Sequence, residues 1–261
     1  MYCDPGGTEE NMVSQKFDYS GIPPGFYDDV AQHGSPVRRA WHLLKFERIA
    51  ECLPSTAQAI LDIGCFGGTF LSLLSADKFP RQLGVDILPE QVLYATRKYA
   101  TPFREFRQCA DFDQISKLGE SFDVVTLIEV IEHLTGNEIA KLFDTLKSGV
   151  LKKGGALILS TPNYLSAWPF IELLLNRVSS VKYEEQHLTK FHFYNFERKI
   201  KSIVPDFDRH FRISFKTTTH FLTPFLAIFG VQQAAALSRM VNHRQWKFPF
   251  GNLLVVGIEA K

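Results

Sequence analysis

The feature of this sequence that most constrains its fold is a regular alternation, beginning at Ala59, of short apolar runs with longer amphipathic stretches. Short apolar runs indicate buried strands, and amphipathic stretches between them indicate the crossover helices of a parallel sheet. The predicted strands are Ala59–Ile63, Gln82–Ile87, Phe103–Cys109, Phe122–Ile128 and Ala156–Ser160, and the predicted helices lie near Thr69–Ser75, Pro89–Tyr99 and Glu138–Leu146. The alternation predicts a doubly wound α/β fold.

The residues just after the first two strands indicate a ligand site. In an open α/β sheet, ligands bind outside the carboxyl ends of the strands. The first strand runs into a turn with Gly64, Gly67 and Gly68, and glycines let the backbone approach a ligand closely. The second strand ends at Asp86, about twenty positions later, where a carboxylate can accept both hydroxyl protons of a ribose. The turn lacks the Gly-x-x-x-x-Gly-Lys pattern, which disfavours a triphosphate cradle.

Composition excludes several classes of protein. An apolar fraction of 45% predicts a packed core rather than a disordered chain. Lys plus Arg is 29 against 28 for Asp plus Glu, so there is no global positive field to attract a polyanion. Four scattered cysteines without a Cys-x-x-Cys pair or a secretory leader predict a reducing, cytoplasmic setting. The apolar stretch Phe221–Val241 is interrupted by Pro224 and Gly230, which predicts a cap helix or an interfacial element rather than a membrane span.

Five segments in order resemble the motifs of class I S-adenosylmethionine methyltransferases. They are Leu61 to Gly68 as motif I, Asp86 as the ribose-binding acid, Ala110 to Phe112 as the adenine segment, Phe122 to Val125 as the fourth strand, and Leu151 to Gly155 followed by Thr161 to Asn163 as the fifth. The resemblance covers about residues 36 to 163. It implies a mostly parallel seven-stranded sheet with an N-terminal helical arm and helical cap insertions. Phe66 departs from the motif, because the family usually has a second glycine there.

The resemblance also implies a domain plan and a set of cofactor contacts. Residues 1–35 are predicted to form an irregular N-terminal arm, 36–163 the cofactor-binding Rossmann-like core, and 164–261 the acceptor-side cap segments plus the last two strands of the same sheet. The residues implied to contact S-adenosyl-L-methionine are Asp62, Gly64, Cys65, Gly68, Asp86, Ile87, Asp111, Phe112 and Glu129. Asp86 and Asp111 have a second interpretation, in which each only caps the helix that follows it.

The segment Glu129 to His133 carries the second cluster of chemical groups. It resembles the Glu-x-x-Glu-His segment of ubiquinone-pathway O-methyltransferases and of small-RNA 2′-O-methyltransferases, and His187 is the candidate second histidine. Three interpretations stay open. Glu129, Glu132, His133 and His187 can bind a divalent cation; His187 and His133 can act as metal-free catalytic acid and base; or the residues can have structural roles only.

Three functions remain possible on the sequence alone. The leading hypothesis is O-methylation of a small-molecule or lipid- or sugar-linked acceptor, with peripheral membrane contact as an option. The alternatives are an RNA 2′-O-methyltransferase with a metal site, which the near-zero net charge disfavours, and a non-catalytic binding protein with a methyltransferase fold. An aromatic lid over the reaction is predicted from Tyr27, Trp41, His42, Trp168, Phe191 and Tyr194.

Overall fold

The computed structural model describes residues 21–178, 187–222, 225–240 and 248–261. Within these residues the strands form one seven-stranded sheet in the order β3-β2-β1-β4-β5-β7-β6. The strands are β1 (Ala59–Ile63), β2 (Arg81–Asp86), β3 (Arg104–Gln108), β4 (Phe122–Ile128), β5 (Leu151–Pro162), β6 (Phe211–Thr219) and β7 (Leu253–Ala260). The first five strands pair in parallel, and β7 is antiparallel to both β5 and β6. The predicted mostly parallel, seven-stranded sheet is confirmed.

Helices cover both faces of this sheet. The α-helices are α1 (Phe26–His33), α2 (Pro36–Cys52), α3 (Thr69–Ser72), α4 (Pro89–Tyr99), α5 (Phe112–Ser116), α6 (Gly136–Thr145), α7 (Trp168–Val178), α8 (Phe196–Ile203), α9 (Phe207–His210) and α10 (Val231–Met240). Proline stands in the first turn of α2 and α4, where its missing amide costs no helical hydrogen bond. Thr135 and Glu138 form a reciprocal capping box that fixes the start of α6.

Two apolar cores hold the layers together, one on each face of the sheet. One is built around α6, α8 and one face of β1, β2, β4, β5 and β7, and the other around α2, α3 and α4. A small third cluster, containing Ala40, Leu44, Ala227 and Ala234, packs α2 against α10 and the 3-10 helix Phe225–Phe229. The C-terminal segment 225–240 thereby packs against α2, the helix that borders the carboxyl ends of the strands.

The structure differs from the sequence predictions in three places. The arm predicted to be irregular contains the helix α1, whose Asp28 is fully buried and accepts hydrogen bonds from Tyr94, Tyr99 and Lys98. The stretch Phe221–Val241 is not one helix, because Gly230 (φ 137°) separates the 3-10 helix from α10; residues 223–224 and 241 lie outside the described residues. β5 is also longer than the predicted Ala156–Ser160, because it runs from Leu151 to Pro162.

Candidate active site

One cavity of about 630 Å³ lies at the carboxyl ends of β1, β2 and β4. Its lining joins the glycine turn and Asp86 at one end to Glu132, His133 and His187 at the other. Helices α1, α2 and α7 contribute the remaining walls. The crevice is therefore open space and is not filled by protein side chains.

The glycine turn after β1 is fixed by the neighbouring strand. The amides of Gly64 and Cys65 both donate to the carbonyl oxygen of Val85, so these two amides are already engaged within the protein. Gly64 has φ 76°, and a Cβ there would lie 2.5 Å from a Val130 methyl carbon, so only glycine fits. Gly68 lies behind the turn against Phe106 and outside the cavity lining, whereas Gly64 and Cys65 line it.

Phe66 adopts the left-handed conformation that favours glycine, with φ 46°. The departure from the family motif thus keeps the backbone path that a glycine would take. The ring lies 5.0 Å from that of Tyr27 on α1, centroid to centroid. This aromatic contact joins the glycine turn to the N-terminal helix above the cavity.

Asp86 combines a structural role with free capacity to accept hydrogen bonds. It is 7% exposed, and its two oxygens accept from the amides of Phe66 and Leu88 at 2.8 and 2.9 Å. A carboxylate has about four acceptor positions, so roughly two remain for ligand hydroxyls. Burial raises the pKa of Asp86, and the backbone hydrogen bonds oppose that rise. The two interpretations offered by the sequence, helix support and ribose contact, are compatible here.

Asp62 lies beneath the turn as a fully buried carboxyl group. Burial raises its pKa to about 7, and the Thr126 hydroxyl donates to it at 2.6 Å. Asp62 also lines the cavity.

The part of the cavity where adenine binding is predicted is more open to solvent than Asp86 is. Ile87 is 49% exposed and lines the cavity together with Asp111 and Phe112. Asp111 caps α5, because its Oδ1 accepts from the amide of Gln114 at 2.9 Å. Ile87 and Asp111 are both exposed at this end of the cavity.

Glu129 forms a partly buried ion pair with Lys45 on α2, which the sequence prediction missed. Burial favours the neutral carboxyl group, but the Lys45 ammonium outweighs it and the pKa of Glu129 is lowered. Glu129 has φ 55°, which turns the chain sharply after β4. The predicted convergence of Glu129 with the other three metal-ligand candidates is wrong, because its carboxylate faces Lys45 instead. The sequence signal for Lys45 was its helical spacing with Trp41 and Ile49 on the inner face of α2.

Glu132, His133 and His187 form a cluster at the opposite end of the cavity from Asp86, with one ligand atom from each within 4.8 Å of the others. Glu132 is 1% exposed, and neither of its carboxyl oxygens has a hydrogen-bond partner of ordinary geometry among the described residues. Burial raises its pKa to about 8. Thr189 positions His187 by donating from its amide to the Glu132 carbonyl and from its hydroxyl to the Leu134 carbonyl.

His187 has two partners that the sequence prediction missed. Its Nδ1 lies 2.7 Å from Oε1 of Glu172 and 2.7 Å from the hydroxyl of Tyr164. Burial acts to raise the pKa of Glu172, but the contact with His187 outweighs it and the pKa is lowered. The available signal for Glu172 was a single carboxylate within the otherwise apolar start of α7.

Four of the six residues predicted to form an aromatic lid line the cavity. Tyr27, Trp41, His42 and Trp168 line the cavity, and the rings of Trp41 and Trp168 lie 5.6 Å apart. Burial lowers the pKa of His42 to about 3, so its ring is neutral in the cavity wall. Phe191 is fully buried in the core against Phe196, and Tyr194 is 65% exposed, so neither belongs to the lid.

Comparison with known proteins decides the family. Residues 37–206 match the family model described as a methyltransferase domain. This chain belongs to the methyltransferase domain family. The predicted superfamily and enzyme class are thereby confirmed.

The individual proteins that resemble this methyltransferase do so at modest sequence identity. It is 32% identical over 128 residues to the ubiquinone biosynthesis O-methyltransferase of Cereibacter sphaeroides, covering 46% of this chain and 47% of the relative. The chain thus spans about a third to a half of the curated relatives that it matches. A SAM-dependent methyltransferase from Anabaena variabilis has a TM-score of 0.56 at 14% identity, covering 90% of this chain and 92% of that one.

A second solved structure contains a ligand. The magnesium protoporphyrin IX methyltransferase of Synechocystis, solved with bound SAH, has a TM-score of 0.54 at 15% identity, covering 87% of this chain and 86% of that one. Both structural matches show the shared fold. Among the described residues of this chain, no helix is both long and apolar enough to cross a membrane.

Proposed function

We propose that this methyltransferase transfers the methyl group of S-adenosyl-L-methionine to a hydroxyl group of a small, apolar acceptor, with His187 as the base. The observation that carries the proposal is the single cavity that joins Asp86 to His187. A cofactor bound by its ribose at one end would direct its sulfonium toward the titratable cluster at the other. Transfer is an in-line displacement, so alignment and proton removal are the tasks left to the protein.

The residues at the first end suit S-adenosyl-L-methionine. Asp86 retains acceptor capacity for the two ribose hydroxyls, and Ile87 offers an apolar face to adenine. Asp111 can accept from the adenine amino group, since only one of its oxygens is used by the helix cap. Glu129 can accept from the methionine ammonium, and the adjacent Lys45 can pair with the methionine carboxylate. When bound, the cofactor supplies an activated methyl group.

The residues at the second end suit removal of a hydroxyl proton. An imidazole has an ordinary pKa near neutrality, which makes it an effective base at physiological pH. The Glu132 carboxyl, with its pKa of about 8, is neutral at pH 7 and does not compete as an anion. His133 lies beside His187, with 5.2 Å between ring centroids, and is the second candidate for moving the proton.

Two features favour an apolar or lipid-linked acceptor. Trp41, Trp168 and Ile171 line the acceptor side of the cavity, together with Phe225, which is also 37% exposed at the surface. Further large apolar side chains are exposed on the same C-terminal segments: Phe221, Leu222, Ile228, Phe229 and Phe250. The Cereibacter sphaeroides relative is a ubiquinone biosynthesis O-methyltransferase, which supports a hydroxyl group as the acceptor. Peripheral contact with a membrane would then bring the acceptor to the cavity mouth.

A divalent cation is the competing means of lowering the hydroxyl pKa. Glu132, His133 and His187 would hold it, and the unpartnered Glu132 oxygens suit a metal ligand. A cation there would act as a Lewis acid toward the acceptor oxygen. Against it, Nδ1 of His187 is already engaged and Glu129 is paired with Lys45, so three ligands converge among the residues that the structure describes.

The test is transfer of a labelled methyl group to a panel of acceptors. The panel should contain phenols and catechols with and without apolar tails, matched aryl amines, and a short RNA. We expect transfer to the hydroxyl compounds, rising with the apolar tail. His187→Ala should reduce turnover roughly 10²–10⁴-fold while cofactor affinity stays within about twofold. The exposed His33 on α1 provides the control variant His33→Ala.

Three results would change the proposal. Unaltered turnover in His187→Ala would remove this residue from the mechanism. Methylation of the amines or the RNA but of no small hydroxyl compound would contradict the acceptor class. Loss of transfer with chelator, restored by Mg²⁺, would favour the cation in place of the free base.

A further inference from the structure

The pair formed by Glu172 and His187 is buried and closely hydrogen-bonded, although its members come from separate segments. The side chains are 7% and 4% exposed, and Oε1 of Glu172 lies 2.7 Å from Nδ1 of His187. Tyr164 completes the arrangement, because its hydroxyl lies 3.0 Å from the same Oε1. Both contacts to Glu172 therefore converge on one oxygen atom.

The contact with the carboxylate determines which nitrogen of His187 carries the proton. The Tyr164 hydroxyl lies 2.7 Å from Nδ1 and 3.0 Å from Oε1, so its one proton does not decide the question. The Glu172 carboxylate has no proton to donate, so Nδ1 of His187 must be the donor across its 2.7 Å contact with Oε1. If Nδ1 were unprotonated, its lone pair would face the lone pairs of Oε1 at 2.7 Å. In the neutral ring the free lone pair is therefore on Nε2.

The tautomer matters for the chemistry proposed above. With Nδ1 engaged by Glu172, Nε2 is the atom left to meet an acceptor hydroxyl. As the acceptor oxygen forms its bond to the methyl carbon and the sulfur–carbon bond breaks, the hydroxyl proton passes to Nε2. The products are the methylated acceptor, the neutral thioether and an imidazolium ring, which later returns the proton to water. A carboxyl group on Nδ1 stabilises that imidazolium.

We infer that Glu172 is a positioning residue that holds His187 in the Nδ1-protonated form and directs Nε2 into the cavity. The inference rests on the proposed function, since it assigns a partner to the proposed base. Glu172 acts through His187, and in the structure it does not line the cavity itself. The groups that face His187 are Glu172 and Trp168 from α7, Tyr164 after β5, and Glu132 and His133 from the turn after β4.

The decisive variant is Glu172→Gln, which keeps the size of the side chain. The amide can present its NH₂ group to Nδ1 and so favours the opposite tautomer. We expect kcat to fall on the order of 10²–10⁴-fold, with KM for the acceptor and the cofactor Kd changed less than about threefold. Glu172→Asp should recover part of the lost kcat. Tyr164→Phe, the matched control, removes a neighbour but keeps the carboxylate and should lose no more than about tenfold.

A second measurement on the wild-type protein does not depend on any variant folding. The ¹⁵N chemical shifts of the His187 ring report which nitrogen carries the proton. We expect Nδ1–H with unprotonated Nε2; the reverse assignment would overturn the inference. Wild-type kcat in Glu172→Gln would overturn it as well, while loss of activity in His187→Ala would leave the proposed function intact. If His187→Ala is fully active, the proposed function itself fails.

Discussion

The two ends of the cavity are built in different ways. The cofactor end is the glycine turn with Asp86, and the acceptor end is the cluster of Glu132, His133 and His187. At the cofactor end, the polar side chain of Asp86 is tied to nearby backbone amides, and the turn that it supports follows directly from β1. At the acceptor end, the carboxyl group of Glu132 is buried without a partner of ordinary geometry among the described residues, and its neighbour His187 comes from a segment far along the chain.

The difference corresponds to two tasks. A bound cofactor needs a rigid site, and hydrogen bonds from backbone amides keep Asp86 in place whether or not a ligand is present. The proposed proton transfer uses the imidazole of His187, and desolvation raises the pKa of the neighbouring Glu132 to about 8, so this carboxyl group stays neutral at pH 7. In this interpretation, the hydrogen-bonded carboxylate of Asp86 serves cofactor binding, and the carboxyl group of Glu132, without such partners, lies where proton transfer is proposed.

The largest effect should follow from breaking the cofactor end. Asp86→Ala removes the acceptors for two ribose hydroxyls, and hydrogen bonds to a charged group contribute about 1.5–3 kcal/mol each. We expect the Kd for S-adenosylhomocysteine, measured by calorimetry, to rise on the order of 10²–10³-fold. Glu90→Gln changes an exposed carboxylate in the first turn of α4 and is the control. Equal affinities in the two variants would contradict the role of Asp86.

The next effect concerns stability at the acceptor end. The ordinary pKa of Glu132 is 4.5, and burial raises it to about 8 in the folded protein. Between these values the folded state binds more protons than the unfolded state, so this group makes the protein less stable as pH rises. Glu132→Gln abolishes the titration. It should therefore be close to wild type in stability at pH 5 and more stable by a few kcal/mol at pH 8.5.

Denaturant unfolding at several pH values measures this difference. The buried Asp62 titrates in a similar range, with a pKa of about 7, but it is present in both proteins and its contribution cancels. A wild-type-to-variant difference that stays constant from pH 5 to pH 8.5 would show that Glu132 is charged in the folded state.

The smallest effect on stability and cofactor binding is expected where the glycine turn contacts α1. Phe66→Gly relieves the left-handed strain at φ 46° but loses the ring contact with Tyr27. These two changes oppose each other, so the free energy of unfolding should change by no more than about 1 kcal/mol. Cofactor dissociation, followed by stopped flow, should become a few-fold faster because α1 is held less firmly. A slower dissociation would mean that the ring restricts rather than secures the site.

The cofactor end was predictable because its residues are close in sequence. The strands, the glycine turn and Asp86 each follow from periodicity and turn chemistry over short segments. A sequence does not show that Phe106 from β3 fills the space behind the turn, which leaves Gly68 outside the cavity lining. The ion pair of Glu129 was missed for a similar reason, because its partner Lys45 lies on α2 and reaches it only in the folded protein.

The acceptor end was predictable only in outline. His133 and Glu132 were found because they share one short motif, and His187 because its segment is polar and aromatic. Glu172 and Tyr164 were missed, since their contacts with His187 depend on how α7 packs after β5. Phe191 and Tyr194 show the same limit: residues near His187 in sequence lie in the core and at the surface instead.

A crystal structure of the full chain with bound S-adenosylhomocysteine tests the division of the cavity most directly. The ribose hydroxyls should lie within hydrogen-bond distance of the Asp86 carboxylate, and the sulfur should point toward the space between Glu132 and His187. A ligand bound elsewhere, or one whose sulfur points away from His187, would contradict the assignment of the two ends.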